Sequence, residues 1–166
     1  VLNRLELNLS SKLTLLHGEN AQGKASIIEA IHFCSIMTSP IASHDRELVN
    51  FLCLNDEQPF CRIVAEIEKE GKSYRLEIRL IINKNQNGDQ RLLKEFYLDG
   101  VKRRFIEMVG FFNSVVFLPH MTRIIEDAPD ERRKYLDQTL SQAYPGYAQT
   151  LVEYNKAITR RNALLK

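Results

Sequence analysis

The chain has 166 residues, of which 44% are hydrophobic and 27% are charged, and its formal net charge is +2. This composition predicts a globular protein, and the length fits one domain or a large part of one. The small net charge neither favours nor excludes a nucleic-acid partner. No apolar run reaches the about 18 residues of a membrane span, and no signal peptide is recognisable. The three cysteines lack metal-ligand spacing, so we expect free thiols in a reducing compartment.

The first third of the chain predicts two strands followed by a helix. Apolar and polar residues alternate over positions 2–9, which is typical of a half-buried strand. Residues 13–17 form a short apolar run and predict a buried strand. A helix is then predicted from about Lys24 to Met37, and it ends before Pro40 because proline disfavours helix in the residue that precedes it.

A glycine-containing segment joins the second predicted strand to this helix. Gly18 and Gly23-Lys24 stand at the spacing of a phosphate-binding P-loop. In such a loop the glycines allow close approach of the backbone, successive N–H groups point at the anion, and the helix dipole adds to the attraction. Lys24 would supply a full charge for the outer phosphates. The candidate nucleotide-binding residues are Gly18, Glu19, Asn20, Ala21, Gln22, Gly23, Lys24, Ala25 and Ser26.

The residue after Lys24 departs from this motif. A serine or threonine normally follows the lysine because its hydroxyl ligates Mg²⁺, but this position holds Ala25. Ser26 is one residue further, which is about 100° around a helix, so we expect its hydroxyl to point elsewhere. We therefore predict a phosphate-binding loop with a damaged magnesium site, and metal binding stays open. The alternative is a glycine-containing loop that binds nothing.

The middle of the chain predicts an antiparallel sheet. Residues 61–69 and 74–82 alternate and are separated by a turn at Gly71, which predicts a hairpin. Residues 92–98 predict a third strand, followed by a tight turn at Asp99-Gly100. Polar loops are expected at 55–59 and 83–89. A helix is expected to begin after Ser43 and to include residues 48–52, and residues 114–118 predict a buried strand.

The last third of the chain predicts helices. Short helices are expected at 106–112 and 122–127, and a long one begins at Pro129 and is broken at Tyr144-Pro145-Gly146. Apolar residues from Tyr147 to Leu165 follow a short heptad seam, which indicates either a partner helix or one helix of an intramolecular lobe. The order strand, P-loop, helix, antiparallel strands and helices favours an ABC-type ATPase head over an alternating parallel fold.

Five stretches of the chain carry a recognisable pattern, namely Gly18–Lys24, Glu29–Ile31, Asp45–Val49, Pro129–Asp137 with Ser141-Gln142, and Arg160–Lys166. Together they resemble the RecF family of bacterial recombinational repair ATPases, which is related to SMC proteins and ABC transporters. The stretches occur in the family's order and run through nearly the whole chain, and the last two are the most specific.

The resemblance implies an α/β fold, namely a P-loop NTPase of the ABC/SMC-head type. Its sheet is mixed with an antiparallel strand section, and the start of a helical lobe follows. We expect an ATPase head lobe over residues 1–128 and the start of the helical lobe over 129–166. The resemblance also implies an ATP-binding protein of DNA replication, repair and the SOS response that binds junctions of single- and double-stranded DNA. It implies an ATP-dependent homodimer that works with RecR and RecO to load RecA, in the bacterial cytoplasm at the nucleoid.

The groups that hydrolyse ATP in this family are not recognisable in the chain. The family's signature motif and Walker B carboxylates are expected beyond residue 166, since the apolar run 115–118 leads into Pro119-His120 instead. We therefore assign no catalytic residue and predict that this chain alone does not hydrolyse ATP. One competing hypothesis is a nucleotide-dead relative or fragment that serves as a protein-interaction module. Another is a P-loop kinase or small-molecule transferase, which needs a mostly parallel sheet and an arginine-rich lid that the sequence lacks.

Two basic clusters are candidate contacts for DNA phosphates, and for each a purely structural role stays open. A third cluster, residues 132–134, has acidic neighbours at helical spacing, so we expect it to form ion pairs within its helix. The candidate DNA-binding residues are Lys102, Arg103, Arg104, Arg160 and Arg161.

Overall fold

The computed structural model describes residues 2–53, 58–84, 90–119, 121 and 129–165. Two compact units are present, one formed by Val1–Cys34 with Thr38–Arg103 and the other by Ser35–Met37 with Arg104–Lys166. Short 3₁₀ turns occur at Asp45–Leu48 and Phe51–Cys53. The helices and strands in chain order are α1 Lys24–Ile36, β1 Phe60–Lys69, β2 Lys72–Lys84, β3 Gln90–Leu98, β4 Val101–Arg103, α2 Phe105–Met108, α3 Pro129–Ala143 and α4 Tyr147–Leu164.

The first unit is built on a four-stranded antiparallel sheet with the strand order β1-β2-β3-β4. Two-residue turns join β1 to β2 and β3 to β4, and both central residues of each turn have positive φ, at Glu70-Gly71 and at Asp99-Gly100. Such turns match the right-handed twist of the flanking strands and set their register. The Asp99 carboxylate also accepts the Arg75 N–H at 2.8 Å, which ties the second turn to β2.

One face of the sheet forms the core of this unit. Alternate residues of β2 are at most 2% exposed, as their period of two requires when one face is covered. Phe33 of α1 is fully buried, and its ring centroid lies 5.5 Å from the Lys94 ammonium of β3, so this part of α1 packs next to the same face. The buried residues of β2 are Leu76, Ile78, Leu80 and Ile82.

The opposite face of the sheet carries charged residues in register. Glu77 accepts hydrogen bonds from Arg62 Nε at 2.9 Å, Arg62 Nη2 at 3.0 Å and Arg79 Nε at 2.7 Å. Arg79 also lies over the Tyr97 ring, 4.6 Å from its centroid. These contacts link three adjacent strands across the face that does not contact α1. The hydrogen bond from Arg62, opposed by desolvation and helped by Arg79, lowers the pKa of Glu77 from 4.5 to about 2.

The second unit contains a pair of helices joined by a tight turn. The turn between α3 and α4 places Gly146 at φ 86°, and the Tyr147 hydroxyl donates to the Asp137 carboxylate at 2.7 Å. Gln142 of α3 accepts the Ser114 N–H at 2.9 Å, and the Ser114 and Ser35 hydroxyls lie 2.8 Å apart. Within the described parts of the chain, no helix is long and apolar enough to cross a membrane.

The structure confirms most of the predicted regular elements. The three antiparallel strands, both tight turns, the helix after Gly23 and the long helix from Pro129 are present. The sheet is antiparallel throughout its described strands, so only the antiparallel section of the predicted mixed sheet is confirmed. The helix expected over 106–112 is shorter and ends at Met108. The predicted helix at 122–127, His120 and most of the two polar loops lie outside the described residues.

Three predicted strands are wrong, namely those at 2–9, 13–17 and 114–118. Each of these segments is non-helical and lacks strand pairing among the residues that the structure describes. Several of their apolar side chains are largely exposed, at 83% for Leu13, 84% for Leu15 and 95% for Val115, although Leu118 is buried. Apolar patterning shows that a segment could form a strand, but a strand exists only where a neighbour accepts its backbone hydrogen bonds.

The helix predicted to begin at Ser43 is also wrong. The structure has two separate 3₁₀ turns there, because Val49 adopts an extended conformation with φ −76° and ψ 126° and interrupts any helix. Val49 is 3% exposed, so burying its side chain is favoured over continuing the helical turn through this residue. The Asn50 side chain then accepts the Leu52 N–H at 3.0 Å, which starts the second turn independently.

Replacing Glu77 by glutamine tests the charged face of the sheet. Because the folded pKa of Glu77 is lowered from 4.5 to about 2, its stabilising effect is complete above pH 4.5 and is lost as the pH falls towards 2. We expect Glu77→Gln to lower the free energy of unfolding by about 1–2 kcal/mol at neutral pH. Urea unfolding at several pH values should show this difference shrinking as the pH approaches 2.

The matched control is Glu66→Gln. Its carboxylate is 80% exposed and lies 3.5 Å from Arg75, so the ion pair is screened by water. A loss of stability in this control as large as that of Glu77→Gln, or a Glu77→Gln effect that does not change with pH, would contradict the assigned role of Glu77.

Candidate functional site

The predicted P-loop is an exposed loop that leads directly into α1. Its residues 18–22 are exposed, Gly23 is buried, and α1 begins at Lys24. Gly23 has φ 90° and Ala21 has φ 63°, so the chain makes a left-handed turn on each side of Gln22. The Gly23 carbonyl accepts the Ile27 N–H at 3.1 Å and starts the hydrogen-bond series of the helix. The first N–H groups of α1 therefore lie next to the loop.

Gly23 is in contact with the start of the chain. A Cβ atom at this position would lie 2.9 Å from Cδ2 of Leu2, closer than van der Waals contact allows. The positive φ of Gly23 is a second reason why a side chain is disfavoured there. Glycine thus permits both the turn and the approach of Leu2 to the beginning of α1.

Lys24 spans the loop that precedes it. Its ammonium donates to the Gly18 carbonyl at 2.8 Å and also to the Glu19 carbonyl. An ammonium group has three donors, so both bonds together leave one donor for another acceptor. The two carbonyls are neutral acceptors, and an anion forms a stronger hydrogen bond with the same ammonium. The loop thus holds a cation next to the free N–H groups of a helix, which is an arrangement that attracts anions.

The neighbouring position lacks a hydroxyl. Ala25 is exposed in the first turn of α1, and Ser26 is half-buried one residue later. The donor set directly after Lys24 therefore contains no ligand for Mg²⁺. In the part of the chain that the structure describes, no three His, Cys, Asp or Glu side chains cluster as metal ligands.

A polar cluster that we did not predict lies beyond the other end of α1. The Asp45 carboxylate accepts the Ser39 N–H at 2.8 Å and the Thr38 hydroxyl at 3.2 Å, and it forms an ion pair with Lys94 of β3. The Ser39 hydroxyl donates to Glu29 of α1. We call these five residues the Asp45 cluster. Lys94 sits at an inward position of β3, and a charged residue in an otherwise apolar inward pattern was the available sequence signal for it.

The basic residues predicted to contact DNA have different hydrogen-bond acceptors in the structure. Lys102 donates to Glu95 at 2.5 Å and Arg104 donates to Glu107 at 2.8 Å, so both form ion pairs with carboxylates. Arg161 instead bonds the side-chain oxygen of Asn162, at 3.2 Å from Nε and 2.9 Å from Nη2.

Two more predictions concern basic residues on the helices. Arg133 forms an ion pair with Asp130, as the helical spacing of that acidic neighbour predicted. Arg160 lies beside Arg161 in the sequence, but it is on a different face of α4, about 100° away.

Comparisons with known proteins identify the family and the relatives of this chain. Residues 2–157 match the family model described as AAA domain. The chain belongs to the AAA domain family. It is 39% identical over 168 residues to the DNA replication and repair protein RecF of Roseiflexus castenholzii, covering 98% of the chain and 43% of that protein. The RecF of Chloroflexus aurantiacus is 39% identical over 170 residues, with 98% and 43% coverage.

A third, more distant relative shows similar identity and coverage. The RecF of Lachnospira eligens is 36% identical over 163 residues, which is 98% of the chain and 41% of that protein. The chain thus spans less than half the length of these curated relatives and matches their N-terminal part. The resemblance to RecF that the sequence motifs predicted is confirmed.

The contribution of the Asp45 cluster can be measured with a double-mutant cycle. Asp45→Asn and Lys94→Met should each lower the free energy of unfolding by about 1–3 kcal/mol, because each leaves the charge of its partner uncompensated. The Asp45 and Lys94 side chains are only 12% and 27% exposed, so water compensates poorly. We expect the double variant to lose at least about 1 kcal/mol less than the sum of the single losses. Additive losses in urea unfolding would show that the two side chains are not coupled.

Proposed function

We propose that this chain is the nucleotide-binding N-terminal part of a RecF-type protein and that it binds ATP through residues 18–26. The observation that carries this proposal is the position of Lys24. Its ammonium bonds neutral carbonyls of the loop, next to the first N–H groups of α1. The match to the AAA domain family and the RecF relatives support the same assignment.

The loop and the helix would bind the phosphates of ATP by direct electrostatics. The N–H groups at the start of α1 donate to phosphate oxygens, and the helix dipole favours the negative charge. Lys24 exchanges its bonds with the Gly18 and Glu19 carbonyls for charged phosphate oxygens. A hydrogen bond to a charged group contributes about 1.5–3 kcal/mol, so Lys24 contributes a measurable part of the affinity. Ala25 supplies no ligand for Mg²⁺, and Ser26 is the nearest hydroxyl in the sequence.

The wider assignment follows the relatives, each of which is named DNA replication and repair protein RecF. We propose a head lobe of the ABC/SMC type over residues 1–128 and the start of a helical lobe over 129–166. The full-length protein would bind junctions of single- and double-stranded DNA, dimerise with ATP, and act with RecR and RecO to load RecA in the bacterial cytoplasm. This chain alone would not hydrolyse ATP.

A second candidate function rests on Ala25. The missing hydroxyl after Lys24 fits a relative that has lost magnesium-dependent nucleotide binding. In that case the fold would serve as a protein-interaction module. The two candidates differ in whether the chain binds ATP and whether a restored hydroxyl improves that binding.

Titration calorimetry with ATP, first with EDTA and then with Mg²⁺, tests the role of Lys24. We expect the unaltered chain to bind ATP in EDTA, and Lys24→Ala to bind at least about 10-fold more weakly, because a lost charge-assisted hydrogen bond exceeds 1.4 kcal/mol. Lys12→Ala is the matched control, since it removes an exposed ammonium outside the loop. Equal affinity of Lys24→Ala and the unaltered chain would overturn the loop as the binding site, and no binding in either condition would favour the second candidate.

A pair of substitutions at position 25 tests the magnesium site. Ala25→Thr restores a hydroxyl, and Ala25→Val adds a side chain of similar shape without an oxygen. We expect the ratio of ATP affinity in Mg²⁺ to that in EDTA to rise about 10-fold or more in the threonine variant, because Mg²⁺ prefers oxygen ligands. The valine variant should match the unaltered chain. An equal ratio in both variants would show that Ala25 does not limit metal binding.

A further inference from the structure

The second half of α4 carries only positive charge. Glu153 is the single acidic residue of the helix, and positions 154–165 contain Lys156, Arg160 and Arg161 without any carboxylate. Most helices of soluble proteins mix both signs on their exposed faces, where the charges pair at a spacing of three or four residues. A one-signed exposed segment instead attracts anions from solution.

The side chains on this half of the helix divide between two faces. Lys156 and Arg160 are four residues apart, so they share a face and are separated by about 6 Å along the axis. They line a shallow recess together with Val152, Asn155 and Thr159. Arg161 lies about 100° away from Arg160 around the helix.

Lys156 and Arg160 differ from Lys102 and Arg104 in their partners. Across the ranges that the structure describes, neither has a carboxylate oxygen within the 4.0 Å of an ion pair, and both side chains are exposed. Lys102 and Arg104, by contrast, are bonded to Glu95 and Glu107. A phosphate that approaches Lys156 or Arg160 therefore displaces only water, whereas at Lys102 or Arg104 it competes with a carboxylate.

We infer that Lys156 and Arg160 are a pair of phosphate contacts through which α4 binds a nucleic-acid backbone. This inference rests on the proposed function, and it assigns the proposed DNA binding to the face of α4 that carries Lys156 and Arg160. The recess is open and shallow, which suits an extended polyanion with repeated charges better than a small ligand, since small ligands are enclosed by concave pockets. Val152 is the one apolar side chain among the five that line it, whereas a membrane-binding helix buries a broad apolar face beside its basic residues.

The inference changes which residues are expected to contact DNA. Of the five basic residues predicted from the sequence, Arg160 is retained and Lys156 joins it. Lys102 and Arg104 are assigned to ion pairs within the chain, whereas Arg103 and Arg161 have no carboxylate partner among the described residues and do not line the recess. The i, i+4 spacing of Lys156 and Arg160 was the sequence signal for this pair. The Thr159 hydroxyl donates its O–H to the Asn155 carbonyl at 2.9 Å, so it offers no free donor to an anion between the two cations.

Fluorescence anisotropy with a labelled duplex that has a single-stranded tail tests this surface in the presence of ATP. Each phosphate contact contributes about 0.9 to the slope of log affinity against log salt concentration. We expect the double variant Lys156→Gln/Arg160→Gln to reduce that slope by about 2 and to bind about 10-fold more weakly at low salt. The matched control is Lys102→Gln/Arg104→Gln, which removes the same charge from two side chains already paired with carboxylates and should leave the slope within about 0.5 of the unaltered chain. Far-ultraviolet circular dichroism should show the same helix content in both double variants.

The outcomes separate this inference from the proposed function. DNA binding by the unaltered chain with an unchanged slope in Lys156→Gln/Arg160→Gln would overturn the inference and leave the proposed DNA binding standing. An equal loss of slope in the control would also overturn it, since general charge and not this face would then bind the backbone. No DNA binding by the unaltered chain would overturn the inference, and the ATP titration of the same chain would still decide the proposed nucleotide binding. Competition by phosphatidylglycerol vesicles as strong as by unlabelled DNA would assign the face to membranes instead.

Discussion

The position of the glycine-containing loop before α1 depends on a carboxylate that lies far from it in sequence. Asp45 holds the segment after α1 through the Ser39 N–H and the Thr38 hydroxyl, and it holds β3 through Lys94. Ser39 in turn bonds Glu29 within α1. The helix whose first turn carries Lys24 is therefore attached at its other end to the central sheet of the same unit. Both charges of the ion pair are mostly shielded from water, so each would be unstable there without the other.

The sheet provides the surface on which this attachment is possible. Its inward face is a continuous row of apolar residues from β2, which drives the association with Phe33 of α1 through burial. Its outward face is held by polar contacts instead, centred on Glu77 between two arginines. The two faces are therefore stabilised by different physical forces. Acid weakens the outward face by neutralising Glu77, and it leaves the apolar inward contacts unchanged.

The features that could be predicted from the sequence were those encoded within a few residues. Alternation and turn residues predicted the hairpins, because a strand pair with a two-residue turn is local. Glycine and lysine spacing located the loop before α1 for the same reason. The strands expected at 13–17 and 114–118 failed because pairing requires a second segment, which apolar patterning does not reveal. The ion pair of Asp45 and Lys94 joins residues 49 apart, so only the fold brings it together.

The basic residues illustrate how the fold converts similar sequence signals into different roles. Lys102, Arg104 and Arg133 lie in basic clusters, yet each is bonded to a carboxylate. Lys24 bonds only neutral carbonyls, so a phosphate gains charge–charge attraction that the present acceptors do not supply. The same criterion separates Lys156 and Arg160 from Lys102 and Arg104, because phosphate need not compete with an existing anion at the first pair. A cation's present acceptor, more than its place in a basic cluster, thus decides whether it can bind phosphate, and that acceptor is set by the fold.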